Sequence, residues 1–462
     1  MKRLFAALLI CCTLATSVAA AALPPTVQAT LKQAGIPEAS VAVVVQPVAG
    51  GKAALRHRGD AAMNPASLMK LVTTTAALEL LGPATTWRTE VLADTVPDAN
   101  GTLTGDLYLR GSGDPKFTYD RLWLLLRELR GRGLREIRGD LVFDRTAFAP
   151  SDHDPAAFDG KLLRPYNVGP DALLFNFATL HLTLVPESTT VRVLAEPLPA
   201  GFEVVSRLQL NDKATCGDWR ERLDAQLTPA RLILSGSFPR SCGEKRWHLA
   251  GLPSPLLLHG VFTRLWRELG GEFSGQWQER AAPPDALPLA ASESPPLGEL
   301  VRDINKFSNN VMARQLFLKV GAGETALADK NIRAWLAQKG LDFSELVLDN
   351  GSGLSRRERI SADHLARLLA VTWASPIMPE LMASLPIVAI DGTAKKRYNG
   401  VSYAGQAHLK TGSLEGVRGI AGYLLDKRGQ RHIVVFIVNH PNAAQAQPAF
   451  DALLEWLWSS GS

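Results

Sequence analysis

The sequence predicts an α/β protein, an α+β sandwich in which helices flank an antiparallel sheet assembled from both ends of the chain. A β-rich insertion of two small subdomains interrupts it. Three observations lead there. A β-branched run stands near the start, at residues 41–46 (V-A-V-V-V-Q), and strand-like stretches stand near the end, at 406–409, 417–425 and 432–439. Helical periodicity follows the first strand and fills much of the chain before the last three. Between Thr86 and Leu249 the texture changes to short strands separated by dense Pro and Gly turns. The expected organisation is a leader at 1–22, a sheet-and-helix unit at 23–85 and 253–462, and the insertion at 86–252.

The chain has 462 residues, 46% of them hydrophobic, enough for two or three packed units. With 21% charged residues it is neither disordered nor fibrous. Lys2 and Arg3, an apolar core at 4–14 and four alanines at 19–22 form a secretory signal pattern, with Leu23-Pro24-Pro25 after it. The export implied is to the periplasm. No later stretch reaches the roughly 18 apolar residues that span a bilayer, so no transmembrane anchor is expected. Cys11 and Cys12 leave with the leader. Cys216 and Cys242 remain, and two cysteines left over in an exported chain are expected to pair as a disulfide. They are too few ligands for a metal site. The net charge of +5 comes without any basic run interleaved with aromatics, so nucleic acid is a poor partner.

Taken in order, the elements follow from local chemistry. Residues 26–60 read as a helix and two strands, the second returning through Gly50-Gly51. A helix is expected over 65–81, ending at Gly82-Pro83. Within the insertion the strands are 88–93, 107–110, 140–143, 181–185, 190–195 and 231–235, with one helix near 119–132. Helical patterns then cover 256–269, 297–320, 332–339 and 362–374. Residues 426–430 turn the last hairpin, and 450–458 close the chain as an amphipathic helix that packs on the sheet.

Three short motifs carry chemistry. The first is N-P-A-S-L-M-K at 64–70. Asn64 suits a helix N-cap and Pro65 the first helical position. Ser67 then falls at the positive end of the helix, and Lys70 lies on the same face, where it can take the serine proton if its own pKa is lowered. Alone the match means little, since S-x-x-K is expected on the order of once by chance in such a chain. The second is Ser308-Asn309-Asn310. A hydroxyl at 308 can relay a proton and an amide at 310 can hold a peptide group, although Ser308 also reads as a helix cap. The third is Lys410-Thr411-Gly412: a cation and a hydroxyl suited to a carboxylate, and a glycine that lets a substrate strand lie close.

In this order the motifs mark penicillin-binding proteins and class A β-lactamases. The stretches L-Y-L-R-G-S-G-D-P (107–115), R-P-Y-N-V-G-P (164–170), L-D-N-G-S-G-L-S-R (348–356) and D-G-T-A-K-K-R (391–397) extend the match. The chain resembles the D-alanyl-D-alanine carboxypeptidases/endopeptidases of the class C low-molecular-mass penicillin-binding proteins, the type of penicillin-binding protein 4. With it comes the expectation of a β-lactamase/DD-transpeptidase-like domain. The sequence separation of 241 from Ser67 to Ser308 fits the family's extra domains and is far more than a β-lactamase needs.

The resemblance implies Ser67 as nucleophile, Lys70 as its base, Ser308 as relay and Asn310 on the substrate amide. Lys410 and Thr411 would hold the terminal carboxylate beside Gly412, and the N–H groups of Ser67 and Ser413 would form an oxyanion hole. It implies peptidoglycan stem peptides as substrate, β-lactams as inhibitors and no cofactor. Asp144 and Phe148, in F-D-R-T-A-F, stand as candidates for binding the stem-peptide side chain, with a strand-end turn the equal alternative. The rival functions are a serine β-lactamase and a non-catalytic wall-binding relative.

Overall fold

The structure is a computed structural model describing residues 22–398 and 400–460. The expected signal peptide, with Cys11 and Cys12, lies outside the described residues apart from Ala22. Among the described residues no helix is long and apolar enough to cross a membrane.

Both chain ends build one sheet. The N-terminal side supplies helix α1 (Pro25–Gln33), strands β1 (Val41–Pro47) and β2 (Leu55–His57), and helix α2 (Met69–Leu81). The C-terminal side supplies α3 (Leu297–Lys306), α4 (Asn310–Val320), α5 (Thr325–Gln338), α6 (Ala362–Trp373), α7 (Met378–Ser384), β3 (Ala407–Leu414), β4 (Val417–Leu425), β5 (Arg431–Asn439) and α8 (Gln447–Ser459). The strand order is β3-β4-β5-β1-β2, and every pairing is antiparallel.

The unbroken apolar run of β1 has a direct cause: both faces of the sheet are covered. Val41, Val43 and Val45 point to the core under α1 and α8, while Ala42 and Val44 point to the core with α2 and α6. Helix α2 is buried nearly all round, Lys70 included. A polar residue inside such a helix must find partners there. Thr73 Oγ1 donates to Gly351 O at 2.7 Å and Thr74 Oγ1 to Lys70 O at 2.6 Å.

Three elements differ from expectation in ways that shape the site. The helix expected over 65–81 begins as a 3-10 turn, Ala66–Leu68, because Ala66 takes a left-handed φ of 47°. Asn64 is not the N-cap expected of it: Pro65 takes that position with no side-chain cap, and Asn64 Oδ1 accepts from Ala66 N at 2.9 Å one residue earlier. The helix expected over 297–320 is two helices, broken where Ser308 adopts φ 56°. Asn309, not Ser308, caps the second, accepting from Met312 N at 3.1 Å. The strand expected to stop at 409 runs on to Leu414, so K-T-G lies within β3.

The insertion carries a five-stranded sheet in the order Trp277–Glu279, Leu141–Asp144, Leu107–Arg110, Arg88–Ala93, Leu287–Glu293. Two three-stranded sheets from residues 180–249 pack against it through one apolar cluster that runs from Val91 to Ala290. Helix Ser254–Glu268 buries Leu257, Leu258, Val261, Phe262, Leu265 and Trp266 in that same cluster. Strand Leu287–Glu293 returns to pair with Arg88–Ala93. A boundary at 252/253 would cut this core, so we propose that the insertion extends from 86 to about 294. The helical periodicity at 256–269 carries no information about which core the helix enters.

Cys216 and Cys242 are bonded, their Cα atoms 4.7 Å apart, at the apolar cluster of the insertion. Replacing both by serine is expected to lower stability by about 3 kcal/mol through the freed loop of the unfolded chain. Thermal denaturation should show the loss; a melting temperature equal to that of the unmodified chain would contradict it.

Candidate active site

The strained turn at Ala66 places Ser67 and Lys70 on one side of the start of α2. Lys70 Nζ donates to Ser67 Oγ at 3.1 Å, to Asn310 Oδ1 at 2.6 Å and to the carbonyl of Ser352. Three acceptors, one from the adjoining turn and two from distant segments, thus match the three hydrogens of an ammonium. A second lysine–serine pair stands beside the first. Lys410 Nζ donates to Ser308 Oγ at 2.9 Å and to Thr411 O at 2.8 Å. The break at Ser308 between α3 and α4 is therefore what lets its hydroxyl face β3.

Close backbone packing holds these pieces together, and two glycines allow it. A Cβ on Gly353 would lie 2.0 Å from Ala66 O, and one on Gly412 would lie 2.7 Å from Pro65 O. Either would push the Ser67 turn away. Asn64 and Asn439 close the other side with a reciprocal pair: Asn64 N donates to Asn439 Oδ1 at 2.8 Å and Asn439 Nδ2 to Asn64 O at 3.0 Å.

The electrostatics follow from burial. Lys70 is wholly buried, which pushes its pKa well below the usual lysine value; the charges of Lys410 and Arg314 push the same way, and Glu358 opposes them. Burial, then the charge of Arg397, lowers Lys410 to about 7. Glu358 is also fully buried. Its Oε1 accepts from the N–H groups of Asp349, Asn350 and Gly351 at 3.3, 3.1 and 3.0 Å, which fixes the loop whose Ser352 carbonyl faces Lys70. Arg314 reaches the insertion, donating to Val168 O at 2.9 Å. A lysine poised to be neutral beside a serine hydroxyl can accept the serine proton.

Ser67, Ser308, Asn310 and Ser413 open into a cavity of about 430 Å³. Its other walls include residues that the three motifs do not contain: Phe158, Asp159 and Tyr166 from the insertion, and Arg356 and Glu415. The Arg356 guanidinium sits 4.9 Å from the Phe158 ring centre and donates to Glu415 O at 3.0 Å. Tyr166 donates its hydroxyl to Asp159 at 2.7 Å, and burial together with that carboxylate pushes its pKa up to about 12. The Tyr166 carbonyl accepts from Asn310 Nδ2 at 3.3 Å. The sequence signal for these walls was present in R-P-Y-N-V-G-P and L-D-N-G-S-G-L-S-R, which hold Tyr166 and Arg356.

Asp144 and Phe148 do not line this cavity. Asp144 is buried at the end of a central insertion strand. Its Oδ1 accepts from Thr146 N and Oγ1 at 3.0 and 2.7 Å, and its Oδ2 accepts from Ala282 N at 3.0 Å. The turn uses both oxygens. Phe148 packs with Ala172 and Leu318 and lies over Gly113. Phe158 and Tyr166 are the aromatic residues of the insertion that do line the cavity, and Asp159 the acidic one.

The chain is similar to known proteins along most of its length. Residues 23–458 match the model of the D-Ala-D-Ala carboxypeptidase 3 (S13) family. The chain is 30% identical, over 91% of its length and 81% of the relative's, to a D-alanyl-D-alanine carboxypeptidase of Actinomadura sp. (strain R39). It is 27% identical, over 83% of its length and 82% of the relative's, to the D-alanyl-D-alanine carboxypeptidase DacB of Haemophilus influenzae. The crystal structure of penicillin binding protein 4 (dacB) from Haemophilus influenzae superposes with a TM-score of 0.76 at 25% identity, covering 94% of this chain and 99% of that one. A match along nearly the whole described chain, over a fold that joins two lysine–serine pairs in one cavity, means that this protein belongs to the D-Ala-D-Ala carboxypeptidase 3 (S13) family.

Proposed function

We propose that this protein is an exported serine DD-peptidase that removes terminal D-Ala from peptidoglycan stem peptides or cleaves D-Ala-diaminopimelate cross-links through an acyl-enzyme on Ser67. The observation that carries the reading is the buried Lys70 amine in hydrogen-bond contact with the Ser67 hydroxyl, 3.1 Å away. The names of the relatives support the substrate class, and the signal pattern supports a periplasmic location.

In this mechanism Lys70 accepts the Ser67 proton as the oxygen attacks the carbonyl of the penultimate D-Ala. The oxyanion is held by the N–H groups of Ser67 and Ser413, and each such donor contributes on the order of 3 kcal/mol. The proton reaches the departing amine through Ser308, which Lys410 orients. Asn310 already shares its amide between Lys70 and Tyr166, so it couples the base to the insertion wall as well as meeting substrate. Water then attacks the ester, with the same base taking its proton, and releases the shortened peptide. A β-lactam presents a strained amide to the same serine and leaves it acylated. The β-rich insertion supplies one wall of the substrate cavity.

Incubation with a fluorescent penicillin should label the protein covalently, and Ser67→Ala should abolish both the label and peptide turnover, the latter by at least about 10⁴-fold. Label retained in a folded Ser67→Ala variant would place the nucleophile elsewhere. Separating free D-Ala from cleaved dimers on muropeptides would divide carboxypeptidase from endopeptidase activity. Faster turnover of nitrocefin than of a D-Ala-D-Ala peptide would instead indicate a β-lactamase.

The pH dependence has a definite sign. Lys70 acts as base only when neutral, so the acylation rate should rise with pH around a midpoint well below that of an ordinary lysine. Arg314→Gln removes one of the two cations that depress Lys70. Its acid limb should therefore move to higher pH, and a shift to lower pH in the rate profile would refute the assignment of the base.

A further inference from the structure

A second cavity, of about 530 Å³, shares no lining residue with the one that holds Ser67. It lies at the seam between the insertion and the helices, where residues 149–151 face α4, the start of α5 and the Asp349-Asn350 loop. Backbone closes this seam. Ala149 N donates to Gly323 O at 3.1 Å, and a Cβ on Gly323 would lie 2.3 Å from Ala147 O. The cavity is therefore built into the fold.

Two independent features make one wall of it positive. The first is Arg314, which lines the cavity and is only 6% exposed. Its Nη1 donates to Val168 O at 2.9 Å and stands 3.5 Å from His153 Nε2, a nitrogen already 2.7 Å from Asn167 O. Its Nε has no partner, and Glu358 and Asp349 act on it only as more distant charges. A buried guanidinium with unspent donors is costly. The second feature is the N-terminus of α5, a helix of 14 residues whose first turn no side chain caps. Its first N–H groups have no partner within the helix, and Thr325 and Ala326, which carry two of them, line the cavity. Such an end attracts anions. Of the carboxylates on the lining, Glu324 is exposed and Asp349 is spent on Ser355 and Arg357. Phe317, Leu318, Pro150 and Pro170 add apolar surface beside the positive wall.

We propose that this cavity is a second binding site, taking a small molecule that carries a carboxylate or phosphate on an apolar body, and that Arg314 couples its occupancy to Lys70. The oxyanion accepts from the Arg314 guanidinium and the first N–H groups of α5, and the body packs on Phe317 and Leu318. The coupling is electrostatic and rests on Lys70 as the base; the binding does not. Besides burial, Lys410 on β3 and Arg314 on α4 hold Lys70 toward its neutral form, and Glu358 opposes them. An anion on Arg314 cancels one of those two cations. Lys70 then keeps its proton to higher pH, and acylation slows at neutral pH without any contact between ligand and substrate.

The test is calorimetric titration with phenylacetate, phenyl phosphate and neutral benzyl alcohol. At least one anion should bind saturably, more tightly than the alcohol, and the tighter anion identifies the head group. Arg314→Gln should weaken that binding about 10- to 100-fold, and Arg314→Lys less, since it keeps the charge and loses the fork. Thr325→Pro deletes one N–H donor at a first helical position that accepts proline, after a Glu324 that is already extended (φ -121°, ψ 131°). It should weaken binding about 3- to 10-fold while leaving the melting temperature and the probe-free rate of penicillin acylation unchanged. Failure of both anions to bind, benzyl alcohol binding equally well, or binding that Arg314→Gln and Thr325→Pro leave unchanged overturns the site. A saturating anion should move the acid limb of penicillin acylation to higher pH in the unmodified protein, and much less in Arg314→Gln. A limb that stays in place overturns the coupling. A protein that penicillin does not label overturns the peptidase reading and the coupling with it, while calorimetry still decides the site.

Discussion

The structure depends on keeping a lysine amine out of water. Lys70 is wholly buried, and a buried ammonium without partners is too costly to keep. Its acceptors come from the 3-10 turn that leads into α2, from the start of α4 and from the loop before α6. Those segments meet only when both ends of the chain have joined one sheet. The site is thus a product of the long-range topology, and the lysine's lowered pKa is a direct result of the same burial, reinforced by Lys410 and Arg314.

Around that lysine the backbone departs from regular form where the chemistry is. Ala66 and Ser308 both take left-handed φ values, 47° and 56°, which side-chain-bearing residues adopt at a cost of order 1 kcal/mol or more each. The surrounding contacts hold them there: Asn64 and Asn439 on one turn, Asn309 and the α3–α4 packing on the other. Gly353 and Gly412 let two further backbones press against the Ser67 turn. The insertion takes part as well, since the carbonyls of Tyr166 and Val168 accept from Asn310 and Arg314 beneath the site.

Much of the fold was legible in the chain. The runs at 41–46, 88–93, 107–110 and 417–425 read as strands because strands packed on both faces are continuously apolar and those packed on one alternate. The helix boundaries inside 65–81 and 297–320 were not legible. Periodicity continues smoothly through Ala66 and Ser308, and only tertiary contacts impose the positive φ. The reach of the insertion past 252 was hidden for a related reason. The amphipathic helix at 254–268 shows that it has an apolar face, but not which core receives it. Asp144 and Phe148 lie outside the cavity lining, Asp144 because an Asp at a strand end serves its own turn first, whereas Phe158 and Asp159 sit in an irregular stretch that carries no periodic signal.

By itself the sequence determined the chemical inventory: a serine and a lysine one turn apart, a second serine with its asparagine, and a lysine, threonine and glycine on a strand, in an order that identifies the family. Residue type and short spacing suffice for this because each motif is local. The tertiary structure alone decided which groups touch. It joined Lys70 to Asn310 and Ser352, Lys410 to Ser308, and Thr393 and Arg397 to the K-T-G strand, across separations from 16 to 282 residues. Contacts of that range depend on how two chain ends share a sheet and how an insertion folds back over it. A local pattern cannot encode them, because the desolvation that tunes both lysines exists only once those distant segments have packed.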